Sequence, residues 1–444
     1  MKQKKNKQNI PIKKNNINKI DNSKFYDTYD FTFKERFLRY VKYDTQSDLK
    51  STTSPSTDKQ KILLKLLLAE LKELKIESEY DDKGVVYAKI SKNTSKQVEA
   101  IGFISHVDTN FDVSGKDVNP IIHEKYNGKD IILPKDNQII KVKDNPALKK
   151  VIGHTIITTN GSTLLGADDK AGVSEIMDAA RYIVTHPEFK HGDIMLAFTT
   201  DEEVGRGTKN FDIKKFGAKF AYTVDGENVG EIESVTFNAK RITLTILGHN
   251  THTGYAKNKM INATKIAAEF ISTLPKNLIP EKTDNKQGFI HVNNINGNVE
   301  SATLEILLRD FNEKTLLKYE LIIRKNISKV IKKYCTSNGV AINDAKYELK
   351  IENQYKNMGP IIDKYPKIMN NAIKAMTNLG IKYEIKIIRG GTDGCELSRM
   401  GLPTPNIFCG EHNFHSKTEW VSIQEMELAV KTILEICGVW EKEA

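Results

Sequence analysis

Apolar residues recur along the chain at two spacings, and the alternation between them predicts the architecture. Residues 31–43 carry Phe33, Phe37, Leu38 and Val41 near helical spacing, and 59–74 do the same with Ile62, Leu63, Leu66, Leu67, Leu71 and Leu74. Ser54, Pro55, Ser56, Thr57 and Asp58 supply helix-start chemistry ahead of the second segment. Strand patterns follow at 85–90 and 98–105, and a polar stretch over 111–160 predicts loops and short strands laid over the core. A helix is expected at 171–184, with strands at 193–199 and 220–224. Strands alternating with helices predict an α/β layered sheet.

The pattern changes near residue 237. It predicts strand 241–247, helix 262–274, strands 289–294 and 302–309, helix 313–334 and strand 347–352. That order suits a small split-βαβ domain. After Pro360 the first pattern returns, with helix 365–379, strand 383–388, a Gly-rich loop, strand 405–408 and helix 423–437. The expected organisation is a large α/β domain over 24–236 and 355–444, with a small α+β domain, 237–354, inserted into it. A chain of 444 residues has room for both.

Charge alters this picture only at one end. The net charge is +10, but residues 1–20 hold seven lysines and no acid, which leaves 60 basic against 57 acidic residues elsewhere. Residues 1–23 are Lys- and Asn-rich with isolated isoleucines, a composition that predicts a disordered tail. A secretory signal needs a continuous apolar region, which this tail lacks, and it carries no arginine to suggest a transit peptide. No nucleic-acid partner is expected, because the basic residues do not gather on a recognisable binding module. No membrane partner is expected either, because no apolar run reaches about 18 residues. Cys335, Cys395, Cys409 and Cys437 are widely spaced and read as reduced thiols of a cytoplasmic protein.

Candidate chemistry lies where the expected strands end, which is where α/β sheets build their sites. His106 and Asp108 form an H-x-D unit after an apolar strand, and side chains two apart on an extended segment share one side. Asp108 is then placed to accept from the His106 ring and fix its tautomer. Asp168 and Asp169 open a helix, where capping is the bland alternative for a lone pair. Glu202 and Glu203 end an almost purely apolar strand. Adjacent carboxylates there repel each other unless a cation is near. Asp225 closes another buried strand, and His412 and His415 follow strand 405–408. Imidazole with carboxylate oxygen is a zinc donor set, with cobalt or manganese as possible substitutes. A bridging carboxylate would hold two ions roughly 3.5–4 Å apart, leaving one glutamate as general base.

Six units carry a family resemblance: Ser105-His106-Val107-Asp108-Thr109, Leu164-Leu165-Gly166-Ala167-Asp168-Asp169-Lys170-Ala171-Gly172, Thr200-Asp201-Glu202-Glu203-Val204-Gly205-Arg206-Gly207, Tyr222-Thr223-Val224-Asp225-Gly226, Arg389-Gly390-Gly391-Thr392-Asp393-Gly394 and His412-Asn413-Phe414-His415. In order and wording they resemble the tripeptide aminopeptidases among the M20 metallopeptidases, from about residue 31 to the end of the sequence. The resemblance implies a zinc-peptidase-like catalytic domain, a mixed sheet flanked by helices, with 237–354 as a lid and dimerisation domain. It implies two Zn2+ per subunit: His106 and Asp225 on one, Glu203 and His415 on the other, Asp168 between them. Asp108 would orient His106, and Glu202 would be the general acid/base. His252 of the 248–254 segment would stabilise the oxyanion, with His249 a rival for that role. Arg309, Asn262, Gly391 and Asp393 would bind substrate, Asp393 by pairing with a free α-ammonium. The partners implied are a short peptide with a free N-terminus and a second copy of the chain in a homodimer.

The sequence departs from the family pattern at Thr253, where proline usually follows the lid histidine, and at Thr418-Glu419-Trp420, where His-Glu-Phe is commoner. Cys395 stands where a small polar residue is expected, and a thiol there suggests oxidant sensitivity. The competing readings are another M20-type amidohydrolase (a dipeptidase, carboxypeptidase or N-acyl amino-acid deacylase) and a non-catalytic peptide-binding relative.

Overall fold

The structure, a computed structural model, describes residues 28–336 and 346–444, and the expected tail lies outside them. Phe31–Ala444 form one compact unit. Its large sheet is mixed and eight-stranded, in the order Glu77–Tyr80, Val86–Ile90, Ile194–Thr199, Ile101–His106, Phe220–Gly226, Asn406–Phe408, Glu231–Thr236 and Glu384–Ile388. Ile101–His106 runs parallel to both Ile194–Thr199 and Phe220–Gly226, and Asn406–Phe408 runs parallel to Phe220–Gly226. The carboxyl ends of these four strands therefore share one edge of the sheet. All six residues of Ile101–His106 and of Ile194–Thr199 are buried, as strands covered on both faces must be.

One cover is the helix Ala167–Thr185, buried along nearly its whole length and packed with the C-terminal helix Ile423–Lys442. Its close seat on the sheet requires Gly172. A Cβ there would lie 1.9 Å from the Val224 carbonyl oxygen and 2.4 Å from Asp169 Oδ1. The opposite face is filled by Tyr87, Ile104, Met195, Phe211, Phe216 and Leu397.

The chain leaves the large sheet at Thr236 and, after Phe237, enters a second sheet at Asn238. This sheet is antiparallel and four-stranded, ordered Phe289–Gly297, Ser301–Asp310, Asn238–Leu247, Lys346–Tyr355. The helices Ala263–Ser272 and Glu313–Thr336 cover one face through a separate apolar core that includes Ile242, Leu244, Phe270, Ile306 and Ile323. The strand–helix–strand–strand–helix–strand order read from periodicity is the order observed. Asn238 and Asn357 stitch the two crossings together: the Asn357 N–H donates to Asn238 Oδ1 at 3.0 Å, and the Thr236 N–H to Asn357 Oδ1 at 3.1 Å. Arg389 adds a brace, donating to the carbonyls of Asn285, Gln287 and Thr283.

Several elements differ from expectation. Glu231–Thr236 forms an interior strand, next to the sheet edge, where none was read, although its buried positions alternate with half-buried ones. Glu77–Tyr80 is an edge strand with no fully buried position, so it lacks the apolar signal of a strand. The Gly-rich loop is shorter than expected, because Asp393–Met400 is a helix. Its start is held by the Thr392 N–H donating to Cys395 Sγ at 3.4 Å, and cysteine at that position is no familiar capping signal.

Candidate metal centre

His106 ends its strand 3% exposed. Its ring Nδ1 lies 3.0 Å from the Asp108 carbonyl oxygen and 3.4 Å from Asp108 Oδ1. Both neighbours are acceptors, so Nδ1 carries the proton and Nε2 faces the site. The nearer of the two is the main-chain carbonyl. The Asp108 carboxylate has a further task, accepting the N–H groups of Glu202 at 3.1 Å and Glu203 at 3.2 Å. One buried aspartate thus positions the acidic pair against the histidine.

Asp168 is the hub. Its Oδ1 lies 2.9 Å from His106 Nε2 and its Oδ2 lies 2.9 Å from His415 Nε2. Asp225 Oδ1 stands 3.6 Å from His106 Nε2, and Glu203 Oε2 stands 3.1 Å from His415 Nε2. Two three-residue donor groups result, His106–Asp168–Asp225 and Asp168–Glu203–His415, with Asp168 common to both. His412 is not in either group; its ring stacks on Trp420 and its Nε2 meets Glu425.

The donors fit a pair of divalent cations. Each group is one imidazole with two carboxylates, and Glu203 Oε1 is a buried oxygen without a hydrogen-bond partner among the described residues. The electrostatics are those of crowded anions. Burial and the Asp168 charge push Glu203 up to about 7, against the pull of His415. Burial opposes charge on His415, but Asp168 and Glu203 outweigh it and hold the ring at about 11. Burial, with Asp393 and Asp225 nearby, raises Glu202 well above the usual carboxylate range.

Beside this cluster opens a cleft of about 700 Å³ lined by Glu202, Glu203, His415, Asp393, Tyr355 and Arg206, among others. Gly391 and Thr392 form part of the same wall. Asp393 is buried, accepts from Thr199 Oγ1 at 3.3 Å, and is pushed up to about 7 by burial. The other expected substrate groups lie elsewhere. Arg309 donates to the carbonyls of Lys240 and Leu308 and stacks on Tyr355, behind the cleft wall. Asn262 caps the helix Ala263–Ser272. His252 is exposed, its Nδ1 accepting from the Gly254 N–H and its ring beside Tyr255; His249 is exposed as well. Cys395 is buried, its S–H donating to Thr236 Oγ1 and its thiol pushed up by burial, so the expected oxidant sensitivity has no exposed thiolate to act on.

Two supports escaped the reading of the sequence. Glu419 is buried and accepts four successive main-chain N–H groups, those of Leu165, Gly166, Ala167 and Asp168. Asn406 brackets Asp225, accepting its N–H at 3.1 Å and donating to its carbonyl at 2.9 Å. Glu419 is the position that Thr418-Glu419-Trp420 shares with the commoner His-Glu-Phe, which gave it no assigned contact, and Asn406 had only its place opening an apolar strand.

A mixed α/β sheet whose strand ends gather two imidazoles and three carboxylates is the frame of a metal-dependent hydrolase. Residues 163–438 match the model of peptidase family M20/M25/M40. The chain belongs to this family and is a peptidase. It is 46% identical to the Peptidase T of Listeria innocua and 47% identical to that of Caldanaerobacter subterraneus, in each case over 92% of this chain and 98% of the relative. Among solved structures, the aminopeptidase PepT of Bacillus cereus superposes with a TM-score of 0.72 at 20% identity, covering 92% of this chain and 98% of that one. A Bacillus subtilis protein described as a dinuclear metal-binding peptidase of family M20 has the same fold, with a TM-score of 0.58 at 15% identity over 92% and 98% of the two chains.

Proposed function

We propose that the chain is a di-zinc aminopeptidase that removes the N-terminal residue from tripeptides. The observation that carries this reading is Asp168, whose two oxygens each stand 2.9 Å from a different imidazole. In this reading His106 and Asp225 hold one ion, Glu203 and His415 the other, and Asp168 both. Bound there, the ions supply Lewis acidity toward the scissile carbonyl and toward water.

The chain's own groups then divide the work. Glu202 takes a proton from the attacking water and returns it to the leaving amine, a role suited to a carboxyl raised by burial. Asp393, at the cleft wall, pairs with the peptide's α-ammonium, and Gly391, whose missing side chain makes room for the Tyr355 ring, contributes the wall beside it. The four-stranded unit, 237–354, acts as a lid and dimerisation domain. Its closure brings His252 to the oxyanion and Arg309 and Asn262 to the far end of the substrate. No helix among the described residues is long and apolar enough to cross a membrane. In this reading the enzyme is a cytoplasmic homodimer.

The test is turnover of chelator-treated protein on a tripeptide panel, with and without added zinc. Zinc should restore hydrolysis of Ala-Ala-Ala and give none with N-acetyl-Ala-Ala-Ala, because acetylation removes the ammonium that Asp393 would bind. Equal cleavage of both peptides would overturn the aminopeptidase assignment, and full activity without metal would overturn the metal assignment.

A further inference from the structure

Behind the hub lies a second constellation that this chemistry does not use. Asp169, Cys409 and Glu411 each offer one donor atom, all within 4.8 Å of one another, and all three residues are buried. Asp169 belongs to the start of the helix Ala167–Thr185. Cys409 lies in the turn after the strand Asn406–Phe408, and Glu411 opens the strand Glu411–His412. The Asp169 carboxylate is anchored, with Oδ2 accepting the His106 N–H at 3.1 Å and Oδ1 the Gly172 N–H at 3.2 Å. The Ser105 hydroxyl also hydrogen-bonds this carboxylate.

Among the described residues, Glu411 Oε2 is buried with no hydrogen-bond partner, and so are both oxygens of Glu175, farther along the same helix. Such a group is costly in a protein interior unless it takes a proton or meets a cation. The charged neighbours acting most strongly on Glu411 are Asp168, Asp225, Asp169 and Glu419, all of them anions, and they add to burial in raising its carboxyl. Glu175 is raised by burial alone. Burial raises the Cys409 thiol, and Glu411, Glu175 and Asp169 push it the same way. Deprotonated together, Asp169, Cys409 and Glu411 would offer a cation a buried anionic donor set.

We propose that Asp169, Cys409 and Glu411 form a third cation site, distinct from the pair centred on Asp168, for a borderline-soft divalent ion such as zinc. One sulfur with two carboxylate oxygens is a donor set that zinc accepts. Binding releases to solvent the Cys409 thiol proton and any proton held by the Glu411 or Asp169 carboxyl, and forms one sulfur–metal and two oxygen–metal bonds. Closed in on all sides by protein, the ion is structural. It ties the helix start that carries Asp168 to the segment that leads to His415.

Cobalt reports on this site separately from the other two, because neither of those contains a thiolate. The experiment strips the full-length chain of metal, reconstitutes it with Co2+, and reads metal content by mass spectrometry and near-ultraviolet absorption. Three cobalt ions per chain with a sulfur-to-cobalt charge-transfer band are expected. Cys409→Ser should bind two and lose the band. Absence of the band in the unaltered chain overturns the proposal whatever number of ions binds, and so does a band that persists in Cys409→Ser. Failure of the peptidase reading would appear instead as lost zinc dependence of turnover and would leave the band unaffected.

Discussion

The carboxylate of Glu419 sits beneath the backbone of Asp168, accepting its N–H at 3.2 Å together with those of the three residues before it. The hub of the metal centre is therefore aimed by a side chain 251 positions away. Burial raises Glu419 to about 7 even though the N–H donors favour its charged form. Glu419→Gln keeps the shape but turns an NH2 toward two of the four donors. Metal affinity should fall by about 10–100-fold, the usual effect of losing an outer-shell partner. Competition with a chelator measures it, and an unchanged affinity would refute the positioning role.

Glu202 touches none of the expected ligand positions as a donor, since neither metal group includes it. Glu202→Gln should retain the full metal content and lose at least about 10² in kcat, the lower range for a general base. Metal analysis beside steady-state rates on one preparation separates the two effects. Retained turnover would remove Glu202 from the chemistry.

Two glycine-to-alanine substitutions should have opposite signs. At Gly172 the new Cβ meets backbone at 1.9 Å, so Gly172→Ala should cost at least about 1–3 kcal/mol of stability, as overpacking does. Gly438 lies in the helix Ile423–Lys442, where the nearest atoms to a Cβ are 3.8 Å away on the Phe189 ring. Gly438→Ala should stabilise by roughly 0.5–1 kcal/mol, because alanine loses less backbone freedom in a helix. Urea midpoints of both variants against the parent decide the matter.

His191 is buried with Nδ1 2.7 Å from the Gly192 carbonyl oxygen, and burial lowers its pKa from 6.5. Above pH 6.5 the ring is neutral in both folded and unfolded chains, and its packing contributes in full. As pH falls below 6.5 the unfolded chain gains the proton first, so that contribution is lost. His191→Gln should therefore cost stability at pH 8, with the deficit narrowing toward pH 5. Denaturation midpoints across that range test it, and a deficit that widens in acid would reverse the assignment.

Periodicity alone determined much of this protein. It placed the buried strands that end at His106, near Glu202 and at Asp225, and it gave the element order of the four-stranded unit, because burial imposes spacings of two and 3.6 residues on apolar positions. The reach of those readings ended at contacts between distant segments. Nothing local marks Glu419 as the acceptor for residues 165–168, Asn406 as the bracket around Asp225, or Cys409 and Glu411 as neighbours of Asp169. Strand pairing sets Asn406 beside Asp225, and the fold of the chain around the start of the helix Ala167–Thr185 brings Glu419, Cys409 and Glu411 to it. A carboxylate's role depends on which donors or cations share its low-dielectric surroundings, and that is decided in three dimensions.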